Sequence, residues 1–199
     1  MPKGIPLKEI GMNDPSVKKH LPKPGPKTAR IREMLRVDHA GEYGAVQIYR
    51  GQRAVFDKLP HKRETSLMLK EMEEGEQHHL DTFDELLTKR GVRPTMMAPL
   101  WNIAGFGLGA ATALMGEKAA MACTSAVEDV IEKHYAEQIE ELRGVEPDLC
   151  ETITKFREDE LAHKHTAEDA GAKQALFHPL LEGTIKLGCK VAIKVSEKI

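Results

Sequence analysis

Cysteine is scarce in this chain of 199 residues: Cys123, Cys150 and Cys189 stand far apart, with no C-x-x-C. An odd, scattered count excludes a disulfide framework and a cysteine-only metal site, and it is the usage of a reducing compartment. Cys123 is expected as a small core residue. Aromatics make up only 5% and the formal net charge is -2. With no zinc-finger or RNA-binding aromatic pattern, a nucleic-acid partner is not expected. Glycine and proline stay below fibrous or low-complexity levels, and no glycine-rich dinucleotide fingerprint is present. The basic, proline-rich N-terminus lacks the apolar core of a secretory signal. Residues 1–27 therefore read as a partly ordered lead-in, and residues 28–199 as a single domain.

What is abundant is helical periodicity. From Thr28 to about Lys58, Ile31, Met34, Leu35, Ala45, Ile48, Val55 and Phe56 recur at helix-stripe spacing, with Pro60 as a breaker. A second helix runs from about Glu64 to Leu87, with Leu67, Met68, Met72, Leu80, Phe83 and Leu87 on its apolar side and Gly91 and Pro94 as stops. Two more follow, from about Glu117 to Leu142 and from about Pro147 to Ala172, where Pro147 suits the first turn and Phe156 and Leu161 mark the buried side. A last short helix begins near Pro179. Four long helices in two pairs with short links predict an all-α bundle. The one competing strand signal is KVAIKV, residues 190–195.

The stretch EMEEGEQHHLD, residues 71–81, crowds anions and imidazoles together. On a helix a three-residue step leaves two side chains roughly 60° apart and one turn along, so both can reach one metal ion. Glu76 and His79 have that relation, whereas His78 points elsewhere. FREDELAHKH repeats the unit with Glu160 and His163, and His165 fits the face less well. A di-metal bundle needs one further carboxylate from each of two other helices. The first helix offers Glu42 between Gly41 and Gly44, with Asp38 as the rival; the fourth segment offers Glu128 among small residues, with Glu132 one turn on. Glu42 precedes Glu76 by 34 residues and Glu128 precedes Glu160 by 32, so the chain reads as a repeated helix pair: a lone Glu, then Glu-x-x-His. Four carboxylates with two imidazoles suit iron or manganese. Without metal, four clustered anions would repel and raise their proton affinities. Asp38, Asp159 and Glu73 are candidates to orient the ligating imidazoles through their second ring nitrogen. His39 is expected as an outer partner, and His134 and Tyr135 either reach the site or pack as buried helix groups.

Residues 94–116 carry no charge. As a helix they would extend ~34 Å, enough for a bilayer, but Pro99, Asn102, Gly105, Gly107 and Gly109 weaken a spanning reading. A single crossing would also put Glu76 and His79 on the opposite side from Glu128 and Glu160. The segment is expected to fold back, to lie in the membrane interface with Trp101 as an anchor, or to pack within the protein. Lys186, Lys190, Lys194 and Lys198 recur every four residues beside Leu187, Val191 and Ile193. That is the pattern of a basic amphipathic helix lying on anionic lipid, or of a solvent face closing the bundle.

RVDHAGEYGA, EGEQHHLDTF, MACTSAVEDVIEKHY and FREDELAHKH together resemble the 5-demethoxyubiquinone hydroxylase family over about residues 30–195. The resemblance implies a ferritin-like four-helix bundle with additional membrane-associating helices. It implies two iron ions on Glu42, Glu76, His79, Glu128, Glu160 and His163. It places His134 and Tyr135 as accessory groups near the quinone and the metal. It further implies hydroxylation of a polyprenylated demethoxyubiquinol with dioxygen in ubiquinone biosynthesis, followed by methylation by another enzyme. NADH is then an upstream electron donor without a domain of its own, and other ubiquinone-biosynthesis proteins are candidate partners. The N-terminus differs from organellar forms and lacks a clear targeting helix, which favours a peripheral protein on the cytoplasmic face of the cell inner membrane. A homodimer through the apolar helices is allowed by the pattern. Iron storage or peroxide reduction in a ferritin-like bundle is the alternative that the ligand set alone leaves open.

Overall fold

A computed structural model describes residues 26–199, so the lead-in up to residue 25 lies outside the described residues. The described chain is helical throughout: α1 (Pro26–Phe56), a 3-10 turn (Pro60–Lys62), α2 (Arg63–Arg90), α3 (Ala98–Leu114), α4 (Glu117–Leu142), α5 (Pro147–Asp169), a second 3-10 turn (Ala172–Gln174) and α6 (His178–Lys198). Helix ends follow the local chemistry. Pro147 occupies the first turn of α5, where its missing N–H costs nothing. Gly91 takes φ 59 at the end of α2, a left-handed turn that glycine adopts without strain. The Val92 N–H then returns to the Leu87 carbonyl at 2.9 Å.

α1 packs along α2 and α4 along α5, and the two hairpins face each other to form the all-α bundle; α3 lies against α1, and α6 lies across α4 and α1. The apolar core is split into layers. Met34, Leu35, Phe83, Leu87, Ile153 and Phe156 fill one end. Phe56, Leu69, Met72, Met121 and Ala167 fill the other. Each such side chain taken fully from water contributes roughly 1.5–3 kcal/mol. The polar site lies between these layers, shielded at both ends.

Two expectations change. Leu67 is 50% exposed and does not belong to the core of α2; it sits away from the stripe set by Leu69, Met72 and Leu80. KVAIKV is helical, inside α6, because α6 has bundle helices to pack on and no partner strand exists among the described residues. Cys123 is buried, as expected. The uncharged segment becomes α3, folded back along α1. Among the described residues no helix is long and apolar enough to cross a membrane.

Candidate metal centre

Four helices each deliver their carboxylate to one buried point. The ligand atoms of Glu42, Glu76, His79 and Glu160 all lie within 4.8 Å of one another, as do those of Glu76, Glu128, Glu160 and His163. Glu76 and Glu160 belong to both groups, with Glu42 and His79 at one side and Glu128 and His163 at the other. The helix geometry of Glu-x-x-His makes this possible, since one residue reaches the centre while its neighbour one turn on reaches one ion. Glu42, Glu76 and Glu160 are fully buried, and Glu128 and His79 nearly so.

The centre is unsatisfied as protein alone. Glu42 Oε2, Glu76 Oε2, Glu128 Oε2, both Glu160 oxygens and His79 Nδ1 are buried without a hydrogen-bond partner. Buried polar atoms are rarely left so. Here the orphans converge, and hard oxygens with imidazole nitrogen fit a pair of iron ions. His79 Nδ1 stands 3.3 Å from Glu160 and 3.5 Å from Glu42. Its other nitrogen, Nε2, lies 3.1 Å from Asp159 Oδ2, a contact that would orient the ring with Nδ1 toward a metal. Phe156 stacks on the same ring at 3.9 Å between centroids. His163 Nδ1 lies 2.8 Å from Glu76 Oε1. Its ring rests against α2 at Gly75, where a Cβ would come within 3.3 Å of it.

Electrostatics agree. Burial pushes Glu42 up to about 8 and Glu128 up to about 7, and raises Glu160 well above the carboxylate range. Burial would raise Glu76 too, but the hydrogen bond with His163 and the nearby His79 ring bring it down to about 2. Burial would lower His79, but the facing carboxylates of Glu160, Glu42 and Glu76 win and hold its proton more tightly. The metal-free cluster thus retains protons that incoming cations must displace.

The outer residues divide differently from the sequence expectation. Of the three carboxylates expected to orient His79 or His163, only Asp159 meets one of those rings. Asp38 accepts from Gln138 Nε2 at 2.7 Å and faces His134 Nε2 at 3.3 Å, because it projects along α1 toward α4 one turn before the centre. Glu73 turns outward to Arg50 and Arg53. His39 joins neither ligand group; its Nε2 meets Asp84 at 3.0 Å. Glu132, the rival to Glu128, pairs with Arg157. Tyr135 is buried and its hydroxyl donates to Glu42, whereas His134 sits beside Asp38 rather than on a ligand.

Sequence reasoning missed Tyr49. Its hydroxyl donates to Glu128 Oε1 at 2.6 Å. The pair is crosswise: α1 carries Glu42 and Tyr49, α4 carries Glu128 and Tyr135, and each tyrosine holds the carboxylate of the other helix. The signal was present as the same seven-residue offset, two helical turns, in both halves.

Outside the α1–α4 wall lies an apolar cavity of about 350 Å³. Gly41 and Ala45 of α1 and Val127 of α4, which flank Glu42 and Glu128 in sequence, form its inner side; Trp101 and Gly105 of α3 and Gly188 and Ala192 of α6 form its outer side. An open surface depression at the α4–α5 turn, bordered by Arg143, Pro147 and Cys150, includes none of the clustered groups. The arrangement can bind two cations, admit an apolar molecule beside them, and keep bulk water away from the point where they meet.

The family described as "Ubiquinone biosynthesis protein COQ7" matches residues 29–196. The chain is 49% identical over 172 residues to the 3-demethoxyubiquinol 3-hydroxylase of Rhodospirillum rubrum, covering 86% of this chain and 79% of that protein. It is 43% identical over 175 residues to the mitochondrial NADPH-dependent 3-demethoxyubiquinone 3-hydroxylase of Homo sapiens, covering 86% and 79%. It is 40% identical over 187 residues to the mitochondrial 5-demethoxyubiquinone hydroxylase of Saccharomyces cerevisiae, covering 86% and 79%.

Proposed function

From its membership of the COQ7 family of ubiquinone biosynthesis proteins, to which this chain belongs, we propose that it hydroxylates the ring of a polyprenylated demethoxyubiquinol with dioxygen. The observation that carries the reading is the pair of buried ligand groups sharing Glu76 and Glu160, directly behind the wall of an apolar cavity. Glu42, Glu76, His79 and Glu160 would hold one iron ion, and Glu76, Glu128, Glu160 and His163 the other. The iron pair supplies the activation of dioxygen when bound.

The protein residues do the rest. Gly41, Ala45 and Val127 leave room for a flat quinol ring close to Glu42 and Glu128. Tyr49 and Tyr135 fix the orientation of those two carboxylates. Phe156 and the layers around Phe83 and Met121 exclude water from both ends. His134, oriented by Asp38, and Tyr135 would be the accessory groups. The reduced ring is the immediate source of electrons, with a nicotinamide donor upstream and no dedicated domain for it. An iron-storing or peroxide-reducing bundle would have no use for a greasy cavity at this wall.

A tailed quinol resides in lipid, and the surface carries a matching feature. Apart from Leu67 and Val145, every large exposed hydrophobic among the described residues lies between Met96 and Met115 or between Leu176 and Ile199. A patch of this kind marks an interaction surface. We take it to seat α3 and α6 in the lipid interface, with exposed Lys190 and Lys194 toward anionic headgroups, peripherally on the cytoplasmic face of the inner membrane. A homodimer would occupy the same surface, and other ubiquinone-biosynthesis proteins would dock elsewhere on the bundle.

The test is iron-loaded protein incubated with reduced demethoxyquinone in vesicles under ¹⁸O-labelled dioxygen. The expected product carries one labelled ring hydroxyl. Turnover of peroxide with no labelled quinol would overturn the reading, and equal activity with and without vesicles would overturn the membrane seat.

A further inference from the structure

We infer that α6 is the moving wall of the apolar cavity, and that the Trp101–Ser196 hydrogen bond is the latch through which tail length becomes a determinant of specificity. The inference rests on the cavity being the quinol site.

The two outer walls are built differently. α3 lies backbone to backbone on α1. A Cβ at Gly51 would strike the carbonyl of Phe106, one at Gly109 would strike the carbonyl of Ile48, and one at Gly105 would come within 2.9 Å of the Gly44 carbonyl. Contacts at three levels with no side chain between them leave α3 no slack, because close-packed backbone has no low-energy alternative position.

α6 has only Ile185 and Ser196 buried in its 21 residues. Leu181 and Cys189 add partly buried apolar contacts, and its remaining fastenings are polar. Lys186 reaches Asp129 at 2.8 Å, Arg30 reaches Glu197 at 3.0 Å, Arg36 donates to the Glu197 carbonyl at 3.1 Å, and Thr95 Oγ1 donates to the Ile199 carbonyl at 2.6 Å. Links of this kind exchange with water and differ little in free energy when they do. If one wall yields, it is α6.

α3 and α6 scarcely touch each other, and the cavity lies beneath the slit between them. Ala104, Gly105 and Leu108 line the cavity from α3, and Gly188, Ala192 and Ile193 from α6. Gly188, Ala192 and Ser196, spaced one turn apart, give α6 a smooth inner stripe. A prenyl chain passing from lipid to the inner wall would therefore meet apolar surface on both sides. Among the described residues one side-chain hydrogen bond joins α3 to α6: Trp101 Nε1 donates to Ser196 Oγ at 3.0 Å. The indole lines the cavity at that point, so releasing Ser196 lets α6 swing and widens the slit. A ring with a long tail must thread the slit, whereas a short-tailed ring requires a smaller opening.

The experiment compares the parent with Ser196→Ala and Trp101→Phe, each of which removes the hydrogen bond and keeps most of the volume. The iron-loaded proteins are given long-tailed and short-tailed demethoxyquinols. The ratio of kcat/KM, long over short, is expected to rise about three- to tenfold in both variants, the worth of one hydrogen bond. An unchanged ratio, or variants that move it in opposite directions, overturns the latch. Independently of turnover, Cys189 on α6 lines the cavity. In a Cys123→Ala, Cys150→Ser background its labelling by an apolar maleimide is expected to accelerate at least threefold with Ser196→Ala, and an unchanged rate overturns the moving wall. If the parent hydroxylates neither quinol while labelling still accelerates, the functional reading fails and the specificity claim with it, and the moving wall stands.

Discussion

Removing iron should make this protein's stability fall as pH rises, the reverse of ordinary acid sensitivity. Burial raises Glu128 to about 7 from its ordinary 4.5. A group whose folded pKa is raised contributes fully below its unfolded value and loses that contribution as pH climbs through the folded one. The loss at Glu128 therefore runs from about pH 4.5 to pH 8. At roughly 1.4 kcal/mol per unit it is on the order of 3 kcal/mol. Glu42 and Glu160 are raised too, and His79 holds its proton more tightly, so all three act with the same sign. Glu76 is lowered to about 2, and its opposing effect is complete below pH 5. In a domain of this size about 3 kcal/mol corresponds to a Tm change of roughly 6–12 °C. Calorimetry or circular dichroism on metal-free protein between pH 5 and pH 8 should show a Tm falling by at least this much, and iron loading should flatten the slope. Glu128→Gln keeps an oxygen for Tyr49, removes the charge, and should make the metal-free protein more stable than the parent at pH 8. A metal-free Tm that is level or rises across this range would refute the reasoning, as would a Glu128→Gln variant less stable than the parent at pH 8.

Other outcomes follow from single contacts. Tyr49→Phe leaves Glu128 without its hydrogen bond and Tyr135→Phe does the same for Glu42, so each should loosen a different ion; iron titration followed by Mössbauer spectroscopy should show one weakened site in each variant. Asp159→Ala frees the His79 ring to turn, and iron affinity measured by competition with a chelator should drop about 10- to 100-fold. Gly109→Ala drives a methyl into the Ile48 carbonyl and should cost about 1–3 kcal/mol. Gly107→Ala meets nothing and should gain about 0.5–1 kcal/mol of helix propensity; thermal melts of the two would show opposite shifts.

Much of this was legible in the chain. Periodicity located α1, α2, α4 and α5, because a stripe facing a core leaves a 3.6-residue rhythm. The three-residue steps from Glu76 to His79 and from Glu160 to His163 are a local property of one helix, and so could be read without the fold. What could not be read depends on which helix stands opposite. Asp159 meets the His79 ring, while Asp38 and Glu73, within one turn of Glu42 and Glu76, meet Gln138 and two arginines. Tyr49 escaped notice because its partner Glu128 is 79 residues away, although its offset from Glu42 repeats in the second half. The glycines of α3 looked like evidence against a membrane span. Their use is to let α3 lie on α1, and that needed the position of both helices.

The division of donors between the two hairpins has one more consequence. Each ion would draw three side chains from one hairpin and a single carboxylate from the other: Glu160 crosses to the first group and Glu76 to the second. An isolated half of the chain would thus own most of a coordination sphere and still be unable to complete it. Filling the sites rivets the seam between the halves, so iron retention reports that both have docked. A substitution at either crossing carboxylate would harm both ions at once.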